Sequence, residues 1–204
     1  MKTDLSSLRR KPGRPLGFDR ETALHRAMLL FWQHGYEATS VTDLTEAMGI
    51  TPPSLYTAFG DKKRLFMDAV HRYLSGPVSP ESIIDNASDS RTAADLLLRS
   101  SVLGFTGKST PKGCLLASSA ISCSPLAADV QKALASIRLQ IEGRLRAKII
   151  RDQKNQLVNT SADAAALAAH VMAVIQGMST LARDGASRKK LQSVASTAMR
   201  AWPT

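Results

Sequence analysis

Four hydroxyl groups stand close together in the stretch "GITPPSLYTAFGDKKRLF", on Thr51, Ser54, Tyr56 and Thr57. On a helix, Thr51, Ser54 and Thr57 are small enough to let the backbone come close to a base edge, and each can hydrogen-bond a base or a phosphate. Tyr56 adds a phenol at phosphate distance. Leu55 and Phe59 belong to the opposite, core-facing side. Just beyond lie Lys62 and Lys63, in the first turn of the next helix, where they would neutralise phosphates of the same backbone. A cation at a helix N-terminus is unfavourable by about 0.3 to 1 kcal/mol, so these two answer to something other than helix stability. Ahead of them, "RRKPGRP" sets four cations around a proline-glycine pair that cannot build a helix. An extended basic arm of this kind fits a narrow minor groove, with Arg14 the candidate for insertion.

These residues need elements to hold them. Apolar residues recur at intervals of three and four almost throughout and strand-like alternation is scarce, so the chain reads as all-helical. Asp19 caps a first helix over roughly 20–34, whose apolar face is Leu24, Ala27, Met28 and Phe31 and which stops at Gly35. Ser40 with Asp43 three residues on approximates a capping box for a short second helix ending at Gly49. Thr51 caps a third. Pro52 and Pro53 occupy its first positions, where the backbone N–H is unpaired in any case, so the prolines start a helix rather than break one. That helix spans Pro52 to Phe59, Gly60 ends it, and Asp61 caps the next. A short helix, a tight Gly-Ile-Thr turn and a second short helix form helix-turn-helix geometry, in which the second helix enters the DNA major groove. The pattern lapses around 76–86, which reads as a boundary, and helices resume near 92–105, 112–121, 125–152, 161–182 and 188–202. The domains expected are a flexible basic arm over 1–17, a DNA-binding unit over 18–75 and a larger unit over 76–204.

Composition agrees. The net charge of +10 favours an anionic partner. Its positive excess brackets residues 19–60, while a later group of cations between Arg138 and Lys154 reads as a solvated helix face. Cys114 and Cys123 are nine apart with no C-x-x-C and no histidine at ligand spacing, so no metal or cofactor is expected. Neither a secretory signal nor a membrane span is read from the sequence: Ala164 to Ala182 is interrupted by His170, Gln176, Ser179 and Thr180 and leans on alanine. A cytoplasmic protein is expected.

Residues 18–70 resemble the DNA-binding domain of TetR-type bacterial transcription regulators. The resemblance rests on the Gly35-Tyr36 turn, Thr39 before the second helix, the Gly49-Ile50-Thr51 turn, Leu55 with Tyr56 and Phe59, and Lys62 with Leu65. It implies phosphate contacts from Thr42, Tyr56 and Lys62, and groove contacts from Pro53, Ser54 and Thr57. Pro53 departs from the glycine or alanine more frequent there. Beyond this quarter of the chain, likeness is confined to length, helical character and the segment "KGCLLASSA". The fold class expected is thus all-α, an N-terminal three-helix helix-turn-helix domain followed by a larger C-terminal ligand-binding and dimerisation domain.

The family solution to reading few base pairs per helix is a homodimer on a palindromic operator. Two surfaces could serve. Ala164 to Ala182 is apolar at fourteen of nineteen positions, too many for one face, and Leu191, Val194, Ala195, Ala198, Met199 and Trp202 form a second stripe. The resemblance also implies repression released by a small-molecule effector. Phe105, Leu116, His170 and Met172 are candidate lining residues, being bulky or polar within central helices, and ordinary core is the competing reading for each. Cys114 and Cys123 as a redox sensor, and a sequence-tolerant architectural DNA-binding protein, are the other readings. "GFTGKST" imitates the end of a P-loop, but Val102 stands where the loop needs glycine. No catalytic constellation can be assembled, and an enzyme is not expected.

Overall fold

The computed structural model describes residues 17–203, apart from 77 and 122. Among these residues every regular element is helical: α1 Arg20–His34, α2 Val41–Met48, α3 Pro52–Phe59, α4 Lys62–Leu74, α5 Pro80–Asn86, α6 Ser90–Phe105, α7 Leu115–Ser118, α8 Ala128–Lys154, α9 Ala164–Arg183 and α10 Arg188–Arg200, with a 3₁₀ turn at Pro125–Ala127.

The caps form as their residue types dictate. The Asp19 carboxylate accepts from the N–H groups of Glu21 and Thr22, and Ser40 and Asp43 close a reciprocal capping box. Thr51 accepts from the Ser54 N–H with the prolines in the first turn of α3, and Gly49 takes the left-handed conformation, φ 70, that ends α2. Packing then fixes these short pieces. Leu44, Leu55, Phe59, Leu65 and Phe66 are buried, with α2 and α4 packed on α1 and α3 held between α2 and α4. Phe66 meets Phe31 edge-on with ring centroids 5.0 Å apart, and Arg20 clamps α3 and α4 together, lying 4.6 Å from the Phe59 ring centre and 2.8 Å from Asp68.

The larger part of the chain is a bundle in which α6 packs on α8, α9 and α10, and α9 on α8 and α10. The stretch over 76–86, where the apolar pattern lapses, is not all irregular: it holds α5, capped by Ser79 and anchored by a buried Ile84. Two expectations fail here. The cations read as a solvated face are partly structural: Lys148 is 4% exposed and donates to the Ala87 carbonyl at 2.7 Å, Asp152 accepts from the N–H of Ser90 at the start of α6, and Arg144 pairs with Asp85. The Asp152 carboxylate sits on a helix N-terminus, where charge and unpaired N–H groups favour it. Together these contacts tie the α5–α6 corner to α8. The helix expected over 112–121 shrinks to α7, because Gly113 adopts φ 82 and cannot continue it backwards.

The amphipathic stripe of α10 is split, with Leu191, Ala195 and Trp202 buried inside the subunit and Val194, Ala198 and Met199 half-buried. Helix α9 is long and apolar enough to cross a membrane by length and composition, yet one side of it, Ala168, Val171, Met172, Met178 and Ala182, lies in the core. The other side, Ala166, Ala169, Ala173 and Gly177, is exposed and small.

Candidate nucleic-acid interface

Helix α3 shows two different sides. Leu55 and Phe59 are buried, at 0% and 2% exposure, whereas Thr51, Pro53 and Thr57 are exposed and Tyr56 is 51% exposed. Ser54 is half-buried. The hydroxyls are pre-organised: Thr51 Oγ1 and Ser54 Oγ lie 2.9 Å apart, and Thr57 Oγ1 donates to the Pro53 carbonyl at 2.8 Å. Ser54 and Thr57 keep acceptor capacity for a donor from outside. Thr42 is exposed in the first turn of α2, on the element that precedes the turn. The polar edge expected of a recognition helix therefore projects outward, backed by α2 and α4. Arg14 lies outside the described residues.

Lys62 stands at the first position of α4 and leans over the neighbouring turn. Its Nζ is 4.6 Å from the Tyr36 ring centre and 3.4 Å from the Glu37 carbonyl. Burial draws the Lys62 ammonium below its ordinary value, with Glu37 and Asp43 acting in the opposite direction. Lys63 is placed differently from expectation. It is paired with Asp129 at the start of α8, which raises the Lys63 ammonium through that hydrogen bond and lowers the Asp129 carboxyl by the same contact. Arg26 was missed by sequence reasoning: it is exposed on α1 with its guanidinium against the Gly49 turn. A lone exposed arginine in an amphipathic helix carries no signal that it lies beside the turn of another motif.

A second feature lies behind this edge. A cavity of 380 Å³ opens among α1 and α4 to α9, with a mainly apolar wall that includes Trp32, Tyr73, Ile141 and Ile175. Its volume is within the range of small-molecule sites, about 300 to 1,000 Å³. The structure brings Phe105, Leu116 and Met172 together on this wall, while His170 is exposed on α9 and does not line it. Because α9 is apolar on nearly all sides, periodicity could not say which way His170 points. Arg138 lines the cavity, in contrast to the solvated helix face expected of the cations between Arg138 and Lys154. Cys114 is also on the wall, receiving the Tyr73 hydroxyl at 3.5 Å, and burial pushes its thiol up; Cys123, half-buried, is pushed up for the same reason. Neither has the lowered pKa of a reactive thiolate.

The cavity and the outward edge share a frame. Trp32 donates its indole N–H to the Gly113 carbonyl at 3.0 Å, the Tyr36 N–H donates to the Ser119 carbonyl at 2.8 Å, and the Ser124 N–H donates to Glu37 at 2.8 Å. Those Ser124 contacts hold the Glu37 carboxyl below its ordinary value. Arg183 reaches from the end of α9 to the last carbonyls of α1, at 3.3 Å from Trp32 and 3.1 Å from Gln33, where a cation suits the helix C-terminus.

A helix-turn-helix held proud of a helical bundle defines a DNA-binding protein of the regulator type. Residues 23–69 match the family described as bacterial regulatory proteins, tetR family, and residues 96–198 match the tetracyclin repressor-like C-terminal domain. The HTH-type transcriptional repressor ComR of Escherichia coli (strain K12) is 37% identical over 207 residues, spanning 100% of this chain and 98% of that protein. The repressor BdcR of the same organism is 35% identical over 124 residues, 59% of this chain and 62% of BdcR. A cysteine mutant of the TetR family regulator CifR, solved in complex with 26 bp double-strand operator DNA, superposes with a TM-score of 0.88 at 38% identity, covering 94% of this chain and 100% of that one. The chain belongs to the TetR family of bacterial transcriptional regulators.

Proposed function

We propose that this protein represses transcription from the cytoplasmic side of gene control, binding a palindromic operator as a homodimer and leaving it when a small molecule occupies the cavity. The carrying observation is the outward polar edge of α3, formed by Thr51, Pro53, Ser54, Tyr56 and Thr57, with Leu55 and Phe59 anchoring its back. Thr42 and Lys62 flank that edge and would take phosphates, and the arm with Arg14 would add minor-groove charge. ComR and BdcR bear the name of repressor and the CifR mutant was solved on operator DNA, which supports the same reading here. The division into an arm over 1–17, a DNA-binding unit over 18–75 and an effector and dimer unit over 76–204 belongs to the proposal.

Dimerisation falls to the exposed small-residue face of α9. Ala166, Ala169, Ala173 and Gly177 recur at helical spacing, and a Cβ at Gly177 would meet nothing within 4 Å, leaving room for a second helix to approach closely. A two-fold axis through that face would present two α3 helices to one side of the duplex. Effector binding acts by population shift: a ligand that prefers the conformer unable to seat both helices lowers DNA affinity by linkage.

A nuclease footprint on the DNA upstream of the protein's own gene tests this. The expected pattern is two protected half-sites related by inverted symmetry, with centres about 34 Å apart or a multiple of it. Uniform protection without symmetric sites would favour the sequence-tolerant architectural reading instead.

A further inference from the structure

The cavity wall carries a single charged side chain among the described residues, Arg138 of α8. It is half-buried and stands among apolar neighbours such as Leu97, Phe105, Ile141 and Met172. Its one hydrogen bond among the described residues runs from Nη1 to the Leu116 carbonyl at 2.6 Å. Among the described residues no carboxylate lies within ion-pair distance of it, and unlike the other arginines without an ion pair it stands on the wall of an apolar cavity. A guanidinium stays charged at any physiological pH, presents five N–H donors in a planar fork, and is expensive to desolvate without a counter-charge. One carbonyl dipole answers only a small part of that demand.

We infer that the cavity takes a small apolar molecule ending in a carboxylate, and that Arg138 is the residue that recognises it. The inference rests on the reading of this cavity as the effector site. One guanidinium balances one negative charge and its fork matches the two oxygens of a carboxylate side by side. A doubly charged phosphate would need more cations than this wall offers. The remaining polar groups on it, Ser100, Ser101 and Gln176 among them, are neutral.

The same contact connects occupancy to the DNA-binding edge. Leu116 belongs to α7, and the carbonyl of Ser119, the residue just after α7, accepts the Tyr36 N–H in the turn between α1 and α2. That turn is tight against Ser119: a Cβ on Gly35 would lie 3.2 Å from the Ser119 carbonyl oxygen. A carboxylate that draws Arg138 away from Leu116 removes one of the contacts that position α7, while the residue after α7 holds the helix-turn-helix. The ligand thereby favours whichever α7 position exists without the Arg138 bond, and Tyr36 moves with it.

Calorimetric titration of the full-length protein with octanoate and with 1-octanol separates the charged head from the apolar tail, which the two probes share. The expected result is at least about tenfold tighter binding of octanoate, the scale of a charge-assisted hydrogen bond, with the preference lost in Arg138→Gln and octanol binding kept. Arg138→Lys, which retains the charge but not the fork, guards against loss of fold and should keep only part of the preference. Equal binding of the two probes, a preference that survives in Arg138→Gln, or no binding of octanoate would overturn the inference. Operator affinity measured with and without octanoate reads the linked step separately. Release supports both claims, whereas carboxylate selectivity with unchanged operator affinity upholds the site and overturns its role as the effector switch.

Discussion

At the scale of single residues, side chains that are adjacent in sequence have different duties. Tyr56 is half-exposed on α3 with no structural partner for its hydroxyl among the described residues, so Tyr56→Phe should leave the melting temperature unchanged and weaken operator binding in a gel-shift assay. Unaltered binding would remove the phenol from the contact set. Lys62 and Lys63 look equivalent in a sequence, but the fold gives Lys63 to Asp129 and leaves Lys62 over the Tyr36 ring, at the edge of α3. Lys62→Ala should therefore weaken binding to every duplex alike and lower the slope of log affinity against log salt by about one, as expected when one phosphate contact is lost. An unchanged slope would place Lys62 away from the DNA.

At the scale of elements, legibility followed the strength of local signals. The helices α1 to α4 announce themselves through Asp19, Ser40 with Asp43, Thr51 with its prolines and Asp61, each of which forms the cap its chemistry predicts. Helix α5 was unreadable because Ser79, Pro80 and Ser82 have loop composition, and what stabilises it is Ile84 packing at a distance in sequence. The helix over 112–121 was overdrawn because the residues "KGCLLASSA" have helical spacing while Gly113 is committed to another task. Its φ of 82 lets the chain pass between Trp32 and α9, where a Cβ would lie 2.9 Å from the Ser179 carbonyl oxygen and from Arg183 Cγ. Gly113→Ala should accordingly destabilise the protein by more than about 1 kcal/mol, read as a fall in the melting temperature, since both the backbone conformation and the space are denied to alanine. Arg138 was misread for a related reason. Six cations between Arg138 and Lys154 look like one face, and only tertiary packing separates the one on the cavity wall and the buried Lys148 from the rest.

At the scale of the whole molecule, the decisive relation is between two copies. Alanine-rich α9 could be read as an interface helix, and its two sides divide between core and solvent as that role requires, while the α10 stripe is divided, with Leu191, Ala195 and Trp202 buried and Val194, Ala198 and Met199 half-buried. Ala173→Arg, at the exposed centre of α9, should convert a dimer to a monomer in sedimentation experiments without lowering helix content, and should abolish tight operator binding because one α3 helix alone reads too few base pairs. A variant that stays dimeric would move the interface elsewhere. The hydrogen bonds of Trp32, Tyr36 and Glu37 to the 113–124 segment place the cavity wall and the DNA-binding edge within one connected frame, so a change in either can be felt by the other.

The most direct test of the central claim, that the outward edge of α3 reads a particular sequence, is a fluorescence-anisotropy comparison of the footprinted operator with a shuffled duplex of equal length at one salt concentration. The expected affinity ratio is about 10³ or more, and it collapses in a variant altered at Pro53, Ser54 and Thr57. Equal affinity for both duplexes, falling steeply with salt, would contradict it.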